Sequence, residues 1–184
     1  MKKRDYILGS GEVYLKKYDP ELKDPTEIIK ELFKPEHEWG QVKNGATVTY
    51  TPTTYNVKSD LGRVDETLLT AETVTLALGL LTIGADILQP LMGTARKEEK
   101  EDGTILKIGG IENDTNEKYF VGFRHIDKKN GDIFVVIAGA NSGELQFAFN
   151  PESETILNPT FTASAMDDEG TKIFIKLEDP KGDE

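Results

Sequence analysis

Apolar and polar residues alternate with a period of two along much of the chain, which is the pattern of β-strands with one buried face. One run, residues 133–137, is apolar at all five positions and predicts a strand covered on both faces. The pattern predicts at least seven strands. They lie at residues 9–15, 47–51, 73–78, 119–124, 133–137, 145–149 and 173–177.

Four turn dipeptides lie between these runs. Asn-Gly and Asp-Gly adopt positive φ at little cost, as the tight turns of hairpins require. The dipeptides are Asn44-Gly45, Asp102-Gly103, Asn130-Gly131 and Glu169-Gly170. Strands joined by hairpins pair antiparallel. The sequence therefore predicts a mainly β fold, an antiparallel β-sandwich or barrel of seven or more strands with one or two short helices.

Two segments carry helix signals. Asp24 and Pro25 are typical of an N-cap followed by the first helical position, and an apolar stripe continues to Pro35. The second helix starts near Asp86 and must be short, because Pro90 fits only in its first turn. We expect its apolar face to pack on the sheet. That face consists of Ile87, Leu88, Leu91 and Met92.

Three stretches have few apolar anchors. Residues 52–66 and 94–103 are rich in turn-forming or charged residues, and we expect both to be mobile. Residues 179–184 form an acidic tail that cannot bury a side chain, and we expect it to be disordered. No repeat or linker divides the remainder, so we expect a single domain over residues 1–178.

Composition narrows the classes of function. The chain has 184 residues and a net charge of −11. This charge argues against a general nucleic-acid-binding surface, which needs clustered Lys and Arg. The absence of cysteine excludes disulfides, thiolate zinc sites and thiol nucleophiles. The start lacks the apolar core of a signal peptide, and no apolar run reaches the roughly 20 residues of a membrane helix. We expect a protein made in a cytoplasm, without a membrane partner.

No motif predicts catalysis. Ser10 lies between two glycines, but it opens a strand instead of the strand-to-helix turn of a nucleophile elbow. His37 lies between two glutamates without a second histidine nearby, so a solvated acidic loop explains it better than a metal site. Among 33 acidic residues no pair stands out as the two carboxylates of a glycosidase. We expect no enzyme activity, no cofactor and no metal.

The order of segments resembles a known family. A first strand at residues 9–15, Gly-Ser-Gly-Glu-Val-Tyr-Leu, precedes a threonine-rich strand, Ala-Thr-Val-Thr-Tyr-Thr-Pro, and a second long strand, Glu-Thr-Val-Thr-Leu-Ala-Leu. A short helix follows at residues 83–92, and the closing segment at residues 159–171 reads Pro-Thr-Phe-Thr-Ala-Ser-Ala-Met-Asp-Asp-Glu-Gly-Thr. Over residues 5–178 this order is similar to that of the major tail (tail-tube) proteins of tailed bacteriophages and of prophages in Gram-positive bacteria.

The resemblance implies a structural virion protein. Members of that family form hexameric rings that stack into a hollow tail tube, through which viral DNA passes without specific binding. The implied partners are other copies of the chain and further tail proteins: the tape measure, the terminator and the baseplate or tip. The implied location is the virion tail, after assembly in the bacterial host cytoplasm. Residues 19–44 depart from the family pattern and are either a ring-to-ring contact or an outward decoration.

Threonines give two of the predicted strands a hydroxylated face. They are Thr47, Thr49, Thr51, Thr73 and Thr75. An acidic, hydroxyl-rich wall would repel DNA instead of holding it, so we expect these side chains to face the lumen. Ordinary solvent-facing threonines of β-strands explain the pattern equally well. Alternative functions are a tube of a phage-tail-like bacteriocin, another tail component of the same fold, or a stand-alone β-barrel binding module.

Overall fold

A computed structural model describes residues 10–180, so the first residues of the predicted domain and most of the predicted acidic tail lie outside the described residues. The described chain forms ten strands and two short α-helices, which confirms the mainly β fold. The strands are β1 (Gly11–Lys17), β2 (Glu38–Gly40), β3 (Val42–Lys58), β4 (Asp65–Leu80), β5 (Arg96–Lys100), β6 (Gly103–Lys107), β7 (Tyr119–His125), β8 (Ile133–Asn141), β9 (Thr160–Ser164) and β10 (Ile173–Leu177). The helices are α1 (Pro25–Leu32) and α2 (Ala85–Leu88).

Eight of the strands form one antiparallel sheet. Its order is β2-β1-β7-β8-β9-β4-β3, and β10 also pairs with β8. The outermost strands, β2 and β3, are consecutive in sequence and are separated by Gln41 alone. The backbone of Gln41 accepts a hydrogen bond from Leu81 N at 2.9 Å, and its N–H donates to Thr82 Oγ1 at 2.9 Å. The sheet must therefore curl until its two ends meet, as the predicted sandwich or barrel requires.

β9 and β10 occupy the same edge of β8. β10 pairs with residues 133–137 of β8, and β9 pairs with residues 138–141. Together they act as one strand interrupted by residues 165–172. The predicted turn at Glu169-Gly170 is therefore wrong as a hairpin: it lies in an excursion between two collinear strands. Met166 from this excursion is buried against the sheet.

The sheet is covered on both faces. An inner core fills the curl, and an outer core lies between the sheet and α1. β8 contributes to both, since Ile137 is buried in the inner core and Val136 in the outer core. This confirms the prediction of a strand covered on both faces.

The prediction of α1 is confirmed. Asp24 Oδ1 accepts hydrogen bonds from the backbone N–H groups of Thr26 at 2.7 Å and Glu27 at 3.0 Å, and Pro25 occupies the first turn. The predicted stripe is buried against β1, β7 and β8. Its buried members are Ile28, Ile29 and Leu32.

The second helix is shorter than predicted. α2 spans a single turn, and Pro90 lies in a following 3₁₀ turn, Gln89–Leu91, instead of the first turn of an α-helix. Leu91 is buried in the inner core, and Ile87, Leu88 and Met92 pack against it while partly exposed.

The strand predicted at residues 145–149 does not exist. This segment is irregular, and Phe149 is 85% exposed. Its residues alternate correctly, but both edges of β8 are already taken by β7 and by β9 with β10. A strand needs a partner edge as well as the alternation, and the loop after β8 is instead held by Asn141, whose side chain bonds Gly143 and Thr160.

Both internal segments predicted to be mobile lie in hairpins. Residues 52–66 continue β3 and β4, and residues 94–103 form most of the separate β5–β6 hairpin. The Asp102-Gly103 and Asn130-Gly131 turns are confirmed between their strand pairs. Asn44 and Gly45 do have positive φ, 69° and 71°, but they form a bulge within β3 and not a hairpin turn.

Candidate functional site

The outer half of the β3–β4 hairpin projects from the folded body, and we call residues 49–73 the arm. No residue of the arm is buried. Ten strand residues at about 3.4 Å each give it a reach of roughly 30 Å. β4 pairs with β9 only at residues 75–77, so both edges of the arm are open among the described residues. An open two-stranded ribbon is an unusual feature in an isolated molecule, because its free N–H and C=O groups can pair with another chain.

The arm also exposes large apolar side chains. Leu61 at the tip is 77% exposed, and Tyr55 is 63% exposed. The exposed large apolar residues of the arm are Tyr50, Tyr55, Leu61, Val64, Leu68 and Leu69. Open edges combined with apolar side chains are features of a docking surface.

One face of the arm root carries the predicted threonines. Thr49 lies directly opposite Thr75, and Thr51 lies opposite Thr73, so the register places all of them with Thr47 on one face of the hairpin. None of the five is buried. The row continues onto β9, because Thr75 lies opposite Thr162. We call this surface the hydroxyl face.

Sequence reasoning missed the part of the hydroxyl face that β9 contributes. Thr160 and Thr162 alternate with the buried Phe161, and the Thr162 hydroxyl lies 2.6 Å from the hydroxyl of Ser142. The alternation of hydroxyl and apolar residues at residues 160–164 indicates that the hydroxyl groups share one face of the strand. The sequence does not show that β9 lies beside β4, more than 80 residues away along the chain.

The opposite face at the arm root holds a cavity of about 270 Å³, which we call the root cavity. Its walls are mainly apolar. They include Val48, Leu76, Phe123, Ile133 and Val135, together with the imidazole of His125. The cavity is thus open to the surface beside the arm while its floor belongs to β7 and β8.

His125 lies on the inner-core side of β7, and it is 5% exposed. Its Nδ1 lies 3.0 Å from the carbonyl oxygen of Ser10. A carbonyl only accepts, so Nδ1 carries the proton and donates this bond. Its Nε2 is buried without a hydrogen-bond partner within residues 10–180.

A charged pair fixes the hairpin between β7 and β8. Arg124 donates from Nε and Nη2 to Asp132 Oδ2 at 2.9 and 2.7 Å, and Asp132 Oδ1 accepts from Asp127 N at 3.1 Å. Asp132 is 4% exposed, and the Arg124 guanidinium also lies 5.6 Å from the centre of the Phe134 ring. These hydrogen bonds hold the turn between β7 and β8 in place, so we assign the pair a structural role.

Other polar groups are engaged in the same way. Tyr119 donates to Glu117 at 2.7 Å, and burial, followed by this bond, raises the pKa of the Tyr119 hydroxyl. His37 Nδ1 lies 2.8 Å from the carbonyl oxygen of Glu31 near the end of α1, so its ring serves to close the helix. In residues 10–180 no three His, Asp or Glu side chains are grouped as metal ligands. No helix of that range is long and apolar enough to cross a bilayer.

No family model matches the sequence, and no curated protein matches it.

Proposed function

We propose that the chain is a structural virion protein that self-assembles into stacked hexameric rings forming the hollow tail tube of a tailed phage. The proposal combines the resemblance of its segment order to tail-tube proteins with one structural observation, the arm. A ribbon with two open edges and exposed apolar side chains is stabilised by contact with another chain. In a tube, this other chain would be a second copy of the same subunit.

The geometry favours a head-to-tail contact between copies. The arm extends beyond the body, and the surfaces able to receive it, including the edge of β10 that pairs with no other strand of residues 10–180, belong to the body. A contact between two different patches repeats from copy to copy, and it produces a ring when the rotation closes and a filament when it does not. A tube of stacked rings combines both outcomes, since one contact closes each ring and another repeats from ring to ring. A self-complementary patch would stop at a dimer.

Charge supports the conduit role. The chain carries a net charge of −11, and the hydroxyl face presents neutral hydroxyl groups without a cluster of cations. DNA held near such a wall gains little from counterion release, so it would pass without being bound. In this proposal the other partners are further tail proteins, the location is the virion tail, and the chain catalyses no reaction.

Electron microscopy of the purified protein tests the proposal. Negative staining at high concentration should show rings or tubes with a central channel. A variant in which residues 54–70 are replaced by Asn-Gly closes the hairpin at the Thr53–Ala71 pair and removes most of the arm. We expect this variant to remain folded and monomeric, because the deleted residues contribute no buried side chain.

A matched control shortens only the turn. Replacing residues 59–64 by Asn-Gly closes the hairpin at the Lys58–Asp65 pair and keeps the whole ladder. We expect this control to assemble as the natural chain does. A natural chain that stays monomeric at every concentration would contradict the tube proposal and favour a stand-alone binding module.

A further inference from the structure

The chain carries the tripeptide Lys-Asn-Gly twice, at residues 43–45 and 129–131. An asparagine amide can react with the backbone nitrogen of the next residue, and glycine at that position hinders the approach least because it has no side chain. Lysine precedes the asparagine in both copies of the tripeptide, so the immediate sequence gives the two sites similar reactivity. A difference between them in the folded protein must therefore come from their surroundings.

The site at Asn130 is held closed. Asn130 Nδ2 donates to Asp127 Oδ2 at 2.9 Å, and the backbone N–H of Gly131 donates to the carbonyl oxygen of Asp127 at 2.9 Å. A Cβ atom placed on Gly131 would lie 2.7 Å from the carbonyl oxygens of Glu178 and Asp179. The side-chain amide and the backbone nitrogen are thus both engaged, in crowded surroundings.

The site at Asn44 is open. The register of β3 with β4 skips from Val42 to Ala46, so Asn44 and Gly45 have no partner residue on β4. Asn44 is exposed, and its side chain makes no hydrogen bond within residues 10–180. A Cβ atom placed on Gly45 would meet no atom within 4 Å. The amide of Asn44 is therefore free to turn toward the backbone nitrogen of Gly45.

We propose that Asn44 is a site of spontaneous deamidation in the folded protein, whereas Asn130 is protected. The backbone nitrogen of Gly45 loses its proton and attacks Asn44 Cγ, and the side-chain nitrogen leaves as ammonia. The product of this step is a cyclic succinimide. Water then adds to one of the two ring carbonyl carbons and breaks its bond to nitrogen, which leaves aspartate or isoaspartate. Water is the only co-reactant.

The reaction would change β3 at a defined place. Either product adds one negative charge, and isoaspartate also adds one carbon to the path of the backbone. Asn44 and Gly45 line the root cavity and belong to the same strand as the arm. Deamidation would therefore alter the arm root without any change in the encoded sequence. The proposal goes beyond the tube proposal and does not depend on how copies of the chain assemble.

Incubation of the purified protein at mildly alkaline pH, followed by peptide mass spectrometry, tests the proposal. We expect Asn44 to be converted roughly thirtyfold faster than Asn130, since two hydrogen bonds must break before Asn130 can react. The same measurement in concentrated guanidinium chloride is the control. Unfolding removes the surroundings of both sites, so the two rates should become similar. A ratio in the folded protein equal to the ratio in denaturant would overturn the proposal.

Two variants assign the reaction to its residues. Asn44→Gln lengthens the side chain by one carbon and disfavours the ring closure, so the peptide that contains residue 44 should keep its mass. A mass gain in this peptide would place the reaction elsewhere and overturn the assignment of Asn44. Asp127→Ala removes the acceptor of the Asn130 amide, and it should speed conversion of Asn130 while the rate at Asn44 stays the same. An unchanged rate at Asn130 would overturn its protection by Asp127.

Discussion

At the scale of single residues, Asp24 links local sequence to pH-dependent stability. Hydrogen bonds from the backbone N–H groups of Glu27 and Thr26 lower the pKa of the Asp24 carboxyl in the folded protein. A lowered pKa means that the folded state favours the ionised form. The stabilisation is fully present above the ordinary pKa of an aspartate and is lost as the pH falls through the lower folded-state value.

Replacing Asp24 by Asn should therefore destabilise the protein in a pH-dependent way. Asn retains a capping oxygen but carries no charge. We expect the difference in free energy of unfolding from the natural chain to be largest near pH 7 and to shrink as the pH falls below about 4. Urea unfolding at several pH values measures it. Asp24→Ala, which also loses the capping oxygen, should stay less stable than Asp24→Asn across the range.

Residue-scale prediction from sequence succeeds where the cause is local. The cap at Asp24 depends on three neighbouring residues, and it was predictable. The positive φ of Asn44 and Gly45 was also predictable, but their place in a bulge depends on β4 continuing alongside them. The role of His125 was not predictable, because its burial and its bond to Ser10 join residues more than a hundred positions apart.

At the scale of elements, α1 is fitted closely to β7. A Cβ atom placed on Gly122 would lie 2.7 Å from Leu32 Cδ2 and 2.7 Å from Phe33 Cζ. Only a residue without a side chain lets the helix approach the strand this closely. The outer core depends on that approach, since Leu32 is buried there.

Gly122→Ala should push α1 away from the sheet. We expect a loss of about 1–3 kcal/mol in the free energy of unfolding, as is typical of overpacking a filled core. Gly84→Ala is the control, because a Cβ at Gly84 meets no atom within 4 Å. A Gly122→Ala protein as stable as this control would show that α1 adjusts its position freely.

Element prediction was right where alternation coincided with an available partner edge. β7, β8 and β10 satisfy both conditions, whereas residues 145–149 have the alternation alone. The prediction for the arm missed its strands. Residues 52–66 have few apolar residues because no side chain of the arm is buried within residues 10–180, and the segment still forms a continuous β-ladder. The composition of a segment predicts whether its side chains are buried. It does not predict a β-ladder whose two faces are both exposed.

At the scale of the whole molecule, we predict that the hydroxyl face lines the channel of an assembly. Added lysines on this face test that orientation. Thr49 and Thr75 lie directly opposite each other, so lysines at both positions would repel. Thr49→Lys combined with Thr73→Lys places the charges diagonally on exposed positions. If this face lines a conduit, the variant should assemble and retain DNA at low salt, with a hold that weakens steeply as salt is added.

The control carries the same two charges on the other face of the arm, as Thr54→Lys with Asn56→Lys. DNA retention measured by co-sedimentation should be absent in the control. Assembled Thr49→Lys/Thr73→Lys particles that ignore DNA would place the hydroxyl face outside the channel. A variant that folds but does not assemble would instead show that this face is buried between copies.

The order of strands in the sheet has a consequence for synthesis of the chain. The β3–β4 ladder is a local hairpin, but β1 pairs with β7 and β4 with β9, and these ladders join strands roughly a hundred residues apart. A chain emerging from the ribosome can complete its arm once β4 has left the exit tunnel. The body cannot close until β9 and β10, near the C-terminal end, are available. The surface proposed to recruit other copies is thus finished first, so nascent chains on neighbouring ribosomes are exposed to premature pairing until β9 and β10 follow.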